Sequence, residues 1–219
     1  MNKLIKTVIW LIWAAPAVYL AAVWDKVPER VALKYNLSGE PIRFGSKTEL
    51  LLVLAVMLLV NIGVYFLLVN IHRIDPKKKY REENLSRMRK LAVAVSIFVS
   101  AITCFVIYSS SNPGTKFNSK IIVVFLGLLF TVVGNYLYNI RPNYFAGIRL
   151  PWTLENEENW RLTHMLAGKL WFAGGLLIAV TGFLLPDNIV LVCTLAVIII
   201  LTVIPTVYSY RLYKKNQGS

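Results

Sequence analysis

The residues best equipped for chemistry crowd into one polar stretch, residues 140–168, IRPNYFAGIRLPWTLENEENWRLTHMLAG. His164 with Glu157 or Glu158 has the residue types of a general acid–base pair. No nucleophile, second histidine or metal-ligand set accompanies them, so the expectation is a protein that is not an enzyme and takes no cofactor or metal. His72, in the basic stretch HRIDPKKKYREENLSRMRK (72–90), stands alone. The competing chemistry of residues 140–168 is recognition. Arg149 can fork onto a carboxylate and Trp152 is a rigid anchor, and both types dominate binding hot spots.

The elements that must hold these residues are apolar. Of the 219 residues, 57% are hydrophobic, above the share in ordinary soluble domains. Six stretches, near 4–24, 48–71, 91–110, 120–140, 168–186 and 189–209, are long enough to cross a bilayer, and continuous apolar runs in lipid must be helical. The fold expected is an all-α integral membrane bundle of six transmembrane helices. AAPAVYLAA in the first run offers small-residue cleavage sites of a leader, but the run is read as a retained span. The net charge of +13 could suggest nucleic acid. With the N-terminus inside, however, most of the 24 Lys and Arg fall on cytoplasmic segments, notably Arg73–Lys90 and Arg211–Lys215. Both termini are therefore expected in the cytoplasm. The charge reads as a topology signal and an attraction to membrane lipids, with no direct nucleic-acid contact. Cys104 and Cys193 lie in apolar runs and read as small core residues rather than a disulfide.

Three regions follow. Residues 1–71 form a helix pair with an ordered outer loop (25–47), in which VALKY alternates as a short strand. Residues 72–90 are a basic cytoplasmic loop that anchors topology. Residues 91–219 hold four spans and the cytoplasmic loop 141–168. A short interfacial helix is expected before the fifth span, starting near Thr153 or Asn156, with Glu155, Glu157 and Glu158 at its positive end. Glu157 and Arg161 have pairing distance, Trp160 and His164 share a face, and Trp152 and Trp160 suit the membrane interface. The span interiors hold no Asp, Glu, Lys, Arg or His. Asn61, Thr103, Thr131, Asn135, Thr181 and Thr202 are expected to hydrogen-bond between helices, and Gly127/Thr131 and Gly175/Ala179 to mark close helix contacts.

The stretch GNYLYNIRPNYFAGIRLPWTLENEENWRLTHMLAGKLWFAGG (134–175) resembles the signature of the SdpI family of bacterial membrane proteins. The matching positions are Gly134, Asn135, Asn143, Gly147, Ile148, Arg149, Pro151, Trp152, Thr153, Leu154, Trp160, Thr163, His164 and Gly168, and YSYRLYKK (208–215) also fits. The outer loop is similar to a membrane domain of unknown function often found N-terminal in this family, through Pro28, Tyr35, Asn36, Gly39, Pro41, Ser46 and Lys47. Lys34 stands where that domain commonly has histidine. The resemblance implies a plasma-membrane immunity protein that meets a secreted antimicrobial toxin peptide outside. It also implies a receptor that holds a small DNA-binding autorepressor protein at the membrane. The outer-loop residues would then face the toxin and the 135–168 set would dock the cytoplasmic partner. The alternative is a small-molecule or lipid transporter, with Asn135, Asn143, Arg149 and His164 converging on a cavity.

Overall fold

The computed structural model describes residues 3–36, 39–112 and 117–217. Its elements, in order, are α1 (Lys3–Val23), β1 (Arg30–Tyr35), β2 (Pro41–Ser46), α2 (Lys47–Ile74), α3 (Arg81–Ser111), α4 (Ser119–Leu137), the one-turn α5 (Pro151–Glu155), α6 (Glu157–Leu184) and α7 (Asp187–Gln217). Six helices, all but α5, are long and apolar enough to cross a membrane. Many of their large apolar side chains point outward, Leu52, Leu59, Phe183 and Leu184 among the most exposed. A lipid-facing surface has that character, because hydrocarbon solvates such side chains while the backbone pairs with itself. The protein is an all-α multi-pass membrane protein.

Contacts divide it into two compact units, Met1–Phe66 with Ala92–Ile122, and Leu67–Leu91 with Val123–Ser219. In the first, Val27, Val31, Leu50, Leu54 and Ile107 form a buried cluster. The alternation of VALKY does give a strand: β1 pairs antiparallel with β2, Arg30 opposite Ser46 and Tyr35 opposite Pro41. At membrane depth, Pro16 cannot donate a backbone hydrogen bond, so the Ile12 carbonyl one turn earlier lacks its helical partner. The Ser100 hydroxyl donates to it at 3.0 Å. Asn61 donates in turn to Ser100 Oγ (3.1 Å) and to the Ser96 carbonyl (3.3 Å).

Asn61 is thus the interhelical link expected, and the Thr103 hydroxyl also reaches Met57 Sδ of α2 at 3.9 Å, but the other threonines differ. Thr103, Thr131, Thr181 and Thr202 donate to the Val99, Gly127, Ile178 and Ile198 carbonyls of their own helices. A threonine hydroxyl reaches the carbonyl one turn back with no need of a neighbour. Asn135 is exposed on α4.

In the second unit, α4 and α6 meet through glycine. A Cβ on Gly134 would lie 2.3 Å from the Phe172 nitrogen, one on Gly168 would lie 2.6 Å from the Tyr138 Cα, and one on Gly127 would lie 2.4 Å from the Ala179 nitrogen. The small-residue spacing therefore does mark backbone contact. Pro205 in α7 leaves the Leu201 carbonyl free, and Trp171 Nε1 of α6 donates to it at 3.1 Å.

One expectation is corrected. Asn156 caps a helix, its Oδ1 accepting from the Asn159 N–H at 2.8 Å, but that helix is α6 itself, running unbroken to Leu184. The separate interfacial helix shrinks to the single turn of α5. Nothing from Glu157 onward stops the helix: Gly168 is held in place by its contact with α4, so it acts as a packing residue and not as a terminator.

Candidate functional site

The loop between α4 and α6, in the second unit, is built on buried polar side chains. Asn143 organises its first half. Its Oδ1 accepts from the Phe145 and Ala146 N–H groups (2.9 and 2.7 Å), and its Nδ2 donates to the Arg141 and Ala146 carbonyls (2.9 and 3.2 Å). This Asx-type turn uses every short reach the side chain has. Gly147 follows with φ +108°, a left-handed conformation that favours glycine, and a Cβ there would meet His164 Nε2 at 2.3 Å.

His164 is the hub. Its Nε2 accepts from the Ile148 N–H (2.9 Å) and its Nδ1 faces the Trp160 carbonyl (2.8 Å). Nε2 therefore carries the lone pair and Nδ1 the proton, a neutral ring with both nitrogens engaged. The imidazole also stacks on Trp160, centroids 4.0 Å apart. In this arrangement it ties the loop to α6 and has no nitrogen left for acid–base work. Trp160 was expected at the wet interface, yet it is 1% exposed and donates Nε1–H to the Ile140 carbonyl at 2.9 Å. A partner at α4's end, invisible in the local sequence, draws the ring inward.

The second half closes in the same way. Pro151 opens α5, where a missing N–H costs nothing. The Thr153 hydroxyl accepts from the Leu150 N–H (3.0 Å) and donates to the Ile148 carbonyl (2.8 Å). Trp152 donates to Ser209 Oγ (3.1 Å) and packs against Tyr210 and Tyr213, each centroid 5.5 Å away. Thr163 donates to Asn159 Oδ1 (3.0 Å), and Asn159 Nδ2 donates to the Ser209 carbonyl (2.9 Å). The residues 208–215 thus meet the loop they accompany in the signature.

Arg149 is the outward member. It is exposed, with Nη1 donating to the Tyr144 carbonyl at 2.7 Å. Tyr144 is 43% exposed beside it. Asn135 stands apart and does not join the set.

The basic stretch 72–90 also binds this loop. Asn84 clasps the Arg141 backbone from both sides, accepting its N–H (3.0 Å) and donating to its carbonyl (3.1 Å). Arg141 Nε pairs with Glu83 at 2.7 Å, and Lys77 Nζ donates to the Leu154 carbonyl. Glu157 pairs with Lys79 (2.9 Å) and Tyr80 (2.5 Å) and not with Arg161, which forks onto Glu158 (2.8 and 2.6 Å). Hydrogen bonds to Tyr80 and Glu157 hold the Lys79 ammonium above its ordinary range. These partners lie more than fifty residues from the loop, and local spacing gives no sign of them. A cleft of about 500 Å³ opens here, walled by Tyr80, Arg87, Arg141, Glu157 and Arg161 among others. Asn135, Asn143, Arg149 and His164 are not among its walls.

The hairpin residues also gather. Asn36 binds Glu40 through side chain and backbone, its Oδ1 accepting from the Glu40 N–H at 2.8 Å. Gly39 has φ +74° and touches Phe117, whose ring stacks on Tyr35 at 4.4 Å. Burial there pushes the Tyr35 phenol up from its ordinary range. Pro28 and Lys47 sit at the base, where the Lys47 ammonium lies over the Trp24 ring at 4.5 Å, and Pro41 begins β2. Lys34 is exposed.

Residues 139–209, which hold the loop, the start of α6 and Ser209 but not the 77–84 partners, match the SdpI/YfhL protein family. Residues 11–59 match a domain of unknown function, DUF1648. The chain is 24% identical over 198 residues to the Immunity protein SdpI of Bacillus subtilis (strain 168), covering 90% of each chain. No solved structure matches. With its six spanning helices, the SdpI-like chain is a multi-pass protein of the bacterial plasma membrane.

Proposed function

We propose that this chain is an immunity protein that protects its cell against a secreted antimicrobial peptide, and that it works by binding and not by catalysis. The observation that carries this reading is its relation to Immunity protein SdpI along 90% of both chains. In the proposed orientation both termini and the 141–168 loop are cytoplasmic and the β1–β2 hairpin is outside. The loop then offers Tyr144, Arg149 and Pro151 as an exposed ridge on a rigid, internally bonded base. A charged fork and an aromatic ring on a preorganised support suit capture of a cytoplasmic protein, here a small DNA-binding autorepressor.

The test is survival of toxin-sensitive cells, with and without the chain, in medium from the toxin-producing strain. Expression should raise survival at least ten-fold; equal survival removes the immunity reading. Crosslinking in native cells tests the docking ridge. A captured DNA-binding regulator should be lost in Arg149→Ala while membrane insertion is kept. Equal capture by the variant places the dock elsewhere.

A further inference from the structure

The first unit holds a cavity of about 210 Å³ at the middle of α1, α2 and α3. Its walls are mostly apolar, with Pro16, Leu20, Leu54, Leu58 and Ile107 among them, and Trp13 and Asn61 also line it. Trp13 is 5% exposed and Asn61 2%. Yet Trp13 Nε1 and Asn61 Oδ1 have no hydrogen-bond partner among the described residues. The other polar side chains that line the cavity are committed, and Ser96 Oγ, also unpaired, is not one of its walls. Asn61 Nδ2 serves Ser96 and Ser100, the Ser100 proton goes to the Ile12 carbonyl freed by Pro16, and the Thr103 proton goes to Val99.

One donor and one acceptor are thus left in an apolar cavity at membrane depth, where an unpaired polar group is costly. A lipid acyl chain would fill the walls and leave both groups unpaired. An amide carries one acceptor and one donor, the complement of this pair. Cavities of about 150 Å³ already hold a benzene ring, so this one has room for an apolar side chain beside the amide. We infer that the cavity is a binding site for an apolar peptide segment whose backbone is otherwise unpaired, such as a chain end or an extended stretch. One backbone N–H pairs with Asn61 Oδ1, a carbonyl takes the Trp13 N–H, and a side chain seats among the leucines. The choice of a peptide rests on the immunity reading; the donor–acceptor pair does not.

The test uses N-acetyl-photoleucine methylamide, an apolar diazirine amide, with the full chain in lipid nanodiscs. After irradiation, labelling should map to α1, α2 or α3 at the cavity walls. N-hexylacetamide should compete it away and hexyl acetate, which has no donor, should not. Trp13→Phe keeps the ring and removes only the N–H, so its labelling should fall about ten-fold. Asn61→Leu should lower it at least as much. Labelling unchanged in both variants, or displaced equally by the ester, overturns the inference and makes the cavity a lipid crevice. The two readings fail separately. Labelling as expected with no gain in survival sinks immunity and keeps the site. Survival with unchanged labelling in both variants does the reverse.

Discussion

Pro16 and Pro205 free the same kind of carbonyl, one in each unit, and the surroundings answer differently. The Leu201 carbonyl takes Trp171 Nε1, and the loop it accompanies is closed: Asn143, Thr153, Asn159, Thr163 and His164 all find partners. The Ile12 carbonyl takes the Ser100 hydroxyl, but the network around it stops short, leaving Asn61 Oδ1, Ser96 Oγ and Trp13 Nε1 unpaired. A closed polar network fixes a shape, because every member lost strands another. An open one at membrane depth stands ready for a molecule that completes it. The signature residues most distinctive in the sequence are therefore mostly architecture; of the unpaired groups, Arg87 Nη1 and Arg89 Nε lie in the basic stretch, and the three at membrane depth lie in the first unit.

The contrast can be broken in graded steps. The largest effect is expected for Gly134→Val, whose side chain must enter the α6 backbone near Phe172. The loss is about 3 kcal/mol, enough to deplete folded protein in membranes, and detergent-resistant yield reads it. His164→Leu comes next. It strands the Ile148 N–H, removes the side-chain hydrogen bond to the Trp160 carbonyl and costs about 2–3 kcal/mol, measured by thermal unfolding with a thiol-reactive dye on Cys104 and Cys193. Trp160→Phe strands only the Ile140 carbonyl, about 1–2 kcal/mol in the same assay. The smallest effect sharpens the comparison most. Asn61→Leu removes two hydrogen bonds and also an unpaired oxygen, so stability should change by less than about 1 kcal/mol. If Asn61→Leu destabilises as much as His164→Leu, the first unit's network is architecture too.

The six spans were legible because each is a long apolar run, and the VALKY strand because its alternation survives in the hairpin. The pairing of Trp160 with His164 followed from helical spacing. What stayed hidden was long-range. Asn84 holds Arg141, Lys79 and Tyr80 take Glu157, and Ile140 takes the Trp160 N–H, none of which local spacing encodes. Ser96 and Ser100 carry no local mark within the apolar run 91–110, since a serine there commonly bonds its own helix. Only the carbonyl freed by Pro16, on another helix, gives Ser100 its place.

The glycine contacts between α4 and α6 have a mechanical consequence. Where Gly127, Gly134 and Gly168 meet backbone, no side chain lies between the helices to act as a bearing. Neither helix can turn about its own axis without driving a side chain into the other's main chain. The pair must therefore travel as one lever, and a displacement at the Gly127 end arrives undamped at Gly134, three residues from the loop that α4 feeds.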